Sequence, residues 1–221
     1  MVCLDHGRHG SILAPVRGLV YGSHQVEIGE IRVIVVVRAS AGGVEALSDV
    51  LLDLPLNIPI AIFVELHLLP KVESHLPAIL ARTSRLPAKH ATQNERFKPG
   101  NIYIAPPGFH LLVGKGILRL RHGPTGQHPQ PAIDPMFSSV AQNYGHRAVG
   151  ILLSGLLNDG VAGLKEIKRH GGLAFVQDPA EAQFPELPRN ALAAVNVDAC
   201  LPAAKIRDLL TQLPSLLAHA R

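Results

Sequence analysis

Three side chains in this sequence are of the types that acyl transfer needs. Ser40 follows "VIVVVRA", His67 follows "IFVEL", and Asp159 lies in "SGLLNDGVAGL". A serine supplies an oxygen nucleophile, an imidazole takes and returns its proton, and a carboxylate fixes the imidazole and stabilises its charged form. Each residue also has a plainer role. A serine at a strand-to-helix turn can cap the helix or belong to a phosphate-binding loop, and an aspartate ahead of a helix is a favoured N-cap. Taken singly, the plainer roles have the stronger claim. What favours chemistry is that each residue follows a greasy strand, and ligands of open α/β sheets bind beyond the carboxyl ends of the strands.

The elements that position them follow from patterning. Val33 to Val37 suit a strand buried on both faces, Gly42 and Gly43 permit a sharp bend, and "VEALSDVLLDL" carries apolar residues at helical spacing. "IPIAIFVEL" is a second buried strand, and a helix runs through "SHLPAILART". "LPAKHAT" and "NIYIAPP" are short strands parted by the turn "FKPG", and "HLLVGKGILRLRH" is a hairpin turning at Gly114 to Gly116. "DPMFSSVAQNYG" is a helix, "RAVGILLSG" a strand, and "DGVAGLKEIKRHGG" a helix closed by glycines. The strand "LAFVQD", the short helix "PRNALAAV", and a strand end with a final helix in "VDACLPAAKIRDLLTQL" complete the chain. The class is α/β: a doubly wound, mostly parallel sheet flanked by helices, with a β-hairpin insert. Residues 1–30, rich in Gly and His without periodicity, read as a loose leader, and residues 31–215 as the catalytic domain.

Other chemistries fare worse. "ASAGG" lacks the G-x-G-x-x-G spacing of a dinucleotide site, and no Walker A lysine is present. His110, His122 and His128 are loosely spaced and weak as metal ligands, so neither a metal nor a cofactor is expected. The net charge of +4 comes from scattered Lys and Arg with only 4% aromatic residues, which argues for a solvated surface or an acidic protein partner rather than nucleic acid. No long apolar run spans a membrane, and no signal-peptide pattern opens the chain. Cys3 and Cys200 are too few for a disulfide scaffold. A cytoplasmic monomer is the expectation.

"RASAGGVEAL", "ELHLLP", "FKPGNIYIAPPGFHL", "AIDPMFSSVAQNYGHRAVGILLSGLLNDGVAGL" and "LAFVQDPAEAQFPELPRNAL" together resemble the catalytic domain of CheB-type chemotaxis methylesterases, over about residues 31 to 210. The resemblance implies hydrolysis of glutamyl methyl esters on a chemoreceptor-like protein, with release of methanol; several enzymes of the family also deamidate receptor glutamines. It implies Ser40 as nucleophile, His67 as general base and Asp159 as the orienting aspartate. It also implies a parallel sheet flanked by helices, in agreement with the patterning. Backbone N–H groups near Ala41 and Leu156 are the candidate oxyanion donors. Thirty residues ahead of Ile31 are too few for the receiver domain that often precedes this one, so a stand-alone or excised catalytic domain is expected.

The departures are specific. Where the family motif is usually G-A-S-T-G-G, Arg38 replaces the first glycine and Ala41 the threonine. Leu66 replaces the glutamine before the histidine, and Leu156 the methionine after "TG". Near Asp134, Gln130 and Ala132 stand where Arg and Ser are common. Arg38 either narrows the pocket or holds a carboxylate beside the substrate ester, and its charge would lower the pKa of a nearby imidazole. Two further readings stay open: a binding or scaffold protein whose catalysis has weakened, and an amidohydrolase using the same three residues.

Overall fold

A computed structural model of the chain describes residues 31–40, 42–66, 74–122 and 135–218. In chain order the elements are β1 (Val33–Ala39), α1 (Gly43–Leu51), β2 (Ile60–Leu66), α2 (Leu76–Thr83), β3 (Ala88–His90), β4 (Asn101–Ile104), β5 (Phe109–Val113), β6 (Leu118–His122) and α3 (Pro135–Tyr144). They continue with β7 (Ala148–Leu152), α4 (Val161–Arg169), β8 (Leu173–Gln177), α5 (Glu186–Ala194), β9 (Ala199–Leu201) and α6 (Ala203–Ala218). The leader expected over residues 1–30 lies outside the described residues.

Branched aliphatics build the centre. Val33 to Val37 are buried, and burying each such side chain is worth about 1.5–3 kcal/mol. Successive residues alternate between two cores. Val33, Val35 and Val37 face Leu47 and Val50 of α1 and Ile206 and Leu210 of α6, while Ile34 and Val36 face Phe137 of α3 and Leu164 of α4. A strand whose two faces both need covering belongs inside a parallel sheet. The seven described strands of the main sheet run in the order β3-β4-β2-β1-β7-β8-β9, every pair parallel. The antiparallel element is the β5–β6 hairpin, which stands apart as its own two-stranded sheet. The doubly wound class with a hairpin insert is therefore the observed one.

The chain leaves β1 in one direction toward β2 and returns on its other side as β7, so the topological switch lies between β1 and β7. That crevice is where open α/β sheets place their ligands. Of the boundaries that differ from the patterning, two bear on how the chain packs. β1 runs on through Arg38 and Ala39, because Arg38 has Glu65 as its register partner and its carbonyl accepts from Leu153 N–H at 3.0 Å. The final helix continues past Pro214 to Ala218, where Leu213 and Leu217 pack against the core and hold the last turn in place.

Candidate active site

Ser40 stands immediately beyond β1, half-buried. It does not occupy the capping position of α1. That place belongs to Gly42, at φ +66°, where a side chain would also collide with Gln183. Asp159 is likewise not the cap of α4, since Gly160 holds that position at φ +90°. The plainer helix-capping roles of both residues thus fall away.

The two residues sit on loops that are sewn together. Ser40 N–H donates to the Ser154 carbonyl at 3.0 Å, tying the end of β1 to the loop after β7. That loop is held in turn from below: Ser154 N–H donates to Gln177 Oε1 at 2.8 Å, and Ser154 Oγ accepts from Phe184 N–H at 3.0 Å. Gly155 donates to the Phe184 carbonyl at 3.0 Å and accepts from Leu187 N–H at 2.9 Å. It also passes so close that an added Cβ would lie 3.0 Å from the Ser40 Cβ. The crossing of two backbones at Ser40 explains why this loop needs a glycine there.

Beyond Gly155 the loop turns outward. Leu156 and Leu157 are exposed, Leu157 at φ +64°, and Asn190 Nδ2 donates to the Leu157 carbonyl at 2.9 Å. Two leucines in water on the rim of the crevice make an apolar lip. His67 and Ala41, expected as general base and oxyanion donor, lie outside the described residues, as do His128, Gln130, Ala132 and Asp134. His110 pairs with Arg121 and His122 with Phe109, so adjacent-residue alternation puts the two histidines on opposite faces of the hairpin. The His122 ring instead packs on Phe109, with centroids 4.4 Å apart.

The charged centre is the part that sequence reading did not assemble. Arg38 is 8% exposed, and its guanidinium bridges two carboxylates of its own chain: Nη1 to Glu65 Oε1 at 3.0 Å and Nη2 to Asp159 Oδ2 at 2.8 Å. His110 Nδ1 approaches Glu65 Oε1 at 3.6 Å, too long for a hydrogen bond but a close charge contact when the ring is protonated. Burial pushes the Glu65 carboxyl up, but the neighbouring His110 and the Arg38 charge outweigh it and hold Glu65 below the ordinary carboxylate range. Gly160 packs against this bridge, where an added Cβ would meet Arg38 Cδ at 3.2 Å and Leu152 Cδ2 at 2.8 Å. The sequence left Arg38 either narrowing the pocket or holding a carboxylate beside the substrate ester; among the described residues it holds two carboxylates of its own chain, Glu65 and Asp159. Glu65 was legible in one respect only: it is the sixth residue of its strand, as Arg38 is of the neighbouring one, with opposite sign.

This architecture has close counterparts. A family model described as CheB methylesterase matches residues 35–210. A relative from Leptospira interrogans is 35% identical over 180 residues, which cover 81% of this chain and 93% of its own. The protein-glutamate methylesterase/protein-glutamine glutaminase 2 of Anaeromyxobacter dehalogenans is 37% identical over 81% of this chain and 53% of its own length. The crystal structure of the Thermotoga maritima CheB methylesterase catalytic domain superposes with a TM-score of 0.75 at 32% identity, covering 81% of this chain and 97% of that one. With a matching model over most of its length and the same sheet carrying its loops at the switch point, the chain belongs to the CheB methylesterase family.

Proposed function

We propose that this chain hydrolyses glutamyl methyl esters on a chemoreceptor-like protein, and deamidates glutamines of the same partner, with Ser40 as nucleophile, His67 as general base and Asp159 as the orienting carboxylate. The observation that carries the reading is the joining of Ser40 to the Asp159 loop across the β1/β7 switch crevice. Ser40 Oγ attacks the ester carbonyl as His67 takes its proton, giving a tetrahedral intermediate whose oxyanion the N–H groups near Ala41 and Leu156 receive. The proton then passes to the departing methoxide, methanol leaves, and an acyl-enzyme remains on Ser40. Water, deprotonated by His67, attacks that ester; the bond to Ser40 Oγ breaks, His67 returns the proton to that oxygen, and the glutamate is freed. On a glutamine the leaving group is ammonia. The exposed Leu156 and Leu157 supply apolar contact for the receptor segment beside the reacting side chain.

Methanol release from methylated receptor tests the reading directly. Ser40→Ala is expected to lower it by about a thousandfold or more while leaving the thermal unfolding midpoint in place. Retention of most activity in that variant sinks the proposal. Activity should also rise with pH as His67 loses its proton, and a flat profile would assign the base to another group. The Arg38 hold on Asp159 favours one second reading, a family member of weakened catalysis that binds receptor. Receptor binding without any fluorophosphonate adduct on Ser40 would support it.

A further inference from the structure

The Arg38–Glu65 pair lies on the even-numbered face of β1, beside the loop that carries Asp159, and the two residues are direct partners across two parallel strands. A planar guanidinium presents its donors in a rigid fork, and here one arm goes to each carboxylate. We propose that Arg38, neutralised by Glu65, is a positioning residue that clamps Asp159 by Oδ2 and so sets the basicity of the histidine that Asp159 serves.

This inference rests on the proposed roles of Ser40, His67 and Asp159, and it explains how an arginine is compatible with them. An arginine alone beside the aspartate would cancel the negative charge that stabilises an imidazolium. Glu65 offsets it: its negative charge balances the guanidinium, so the charge of Asp159 is not cancelled. Among the described residues, Arg38 from β1, Glu65 from β2, His110 from β5 and Asp159 from the loop before α4 bring charged or titratable groups to this cluster. The depressed pKa of Glu65 keeps its neutralising charge in place through the working range of a histidine base. Gly160, against the Arg38 stem, fixes the direction from which the clamp approaches.

The experiment is the rate of Ser40 labelling by a fluorophosphonate, followed from about pH 5 to 9, where a histidine base titrates. It uses the full chain and three variants. Glu65→Gln removes one negative charge from beside Arg38 and Asp159, so the midpoint of the acid limb should move down by roughly half a unit to one unit. Arg38→Lys keeps the charge but loses the fork, and should slow labelling roughly tenfold at the plateau without moving the midpoint. The double variant Arg38→Gly/Glu65→Gln removes one charge of each sign. It should restore the wild-type midpoint while labelling slowly, and it keeps the test open if Glu65→Gln fails to fold. Wild-type midpoints and rates in all the folded variants would overturn the clamp and leave the esterase reading intact. Absence of labelling in the wild type, with its folding verified, would overturn that reading and the clamp together.

Discussion

Arg38 can be buried because its counter-ions are built into the neighbouring strand and loop. Removing one member of such a pair strands the other, so Arg38→Gly should cost about 3–5 kcal/mol, measured by urea unfolding near neutral pH. Glu65 adds a pH signature. Its folded pKa lies below the ordinary value, so its stabilising contribution is complete above the unfolded carboxylate pKa of about 4.3 and is lost as pH falls through the lower folded value. The gap in unfolding free energy between wild type and Glu65→Gln should therefore be widest above about pH 5 and close steadily in acid. A gap that widens toward acid would contradict the assignment. At this scale the sequence displayed the parts but not the join. Ser40 and Asp159 were visible as polar residues after greasy runs. Glu65 was passed over inside the strand "IPIAIFVEL", because the register that sets it against Arg38 is a long-range property.

The strands and helices were legible because glycines, prolines and aliphatic runs mark their limits. Where tertiary packing overrode those marks, at Arg38–Ala39 and past Pro214, the patterning stopped short. The loop from Leu153 to Gly160 shows the same limit in a functional element. Its letters "LSGLLNDG" announce a turn, yet its shape is set by Gln177, Phe184 and Asn190, residues distant in the chain. Gly160 is its most constrained position. Gly160→Ala imposes a left-handed backbone on a residue with a side chain and pushes that side chain against Leu152 and Arg38. It should lower stability by about 1–3 kcal/mol in thermal unfolding and slow Ser40 labelling, because the residue before it is Asp159. An unchanged unfolding midpoint would mean that the loop relaxes freely.

Across the whole molecule, one sheet serves two cores. Leu47 belongs to the core under α1 and α6, and Phe137 to the opposite one under α3 and α4. Both cores rest on alternate residues of the same strands, so neither can melt while the other persists. Leu47→Ala and Phe137→Ala should each cost about 2–5 kcal/mol, with one cooperative transition and an unaltered denaturant slope. A second transition in either variant would divide the molecule. The same sheet has a further consequence, carried by its two outermost described strands. β3 and β9 are each three residues long, and Lys89, ion-paired with Glu95, stands at the middle of β3. Margins so short, one of them charged, give another chain little backbone to hydrogen-bond, and so discourage edge-to-edge aggregation. The aggregation hazard is therefore one of timing rather than of the finished fold. The stretch "VIVVV" is dangerous until β2 and β7 flank it, and chaperone dependence during synthesis should end once those neighbours have closed over it.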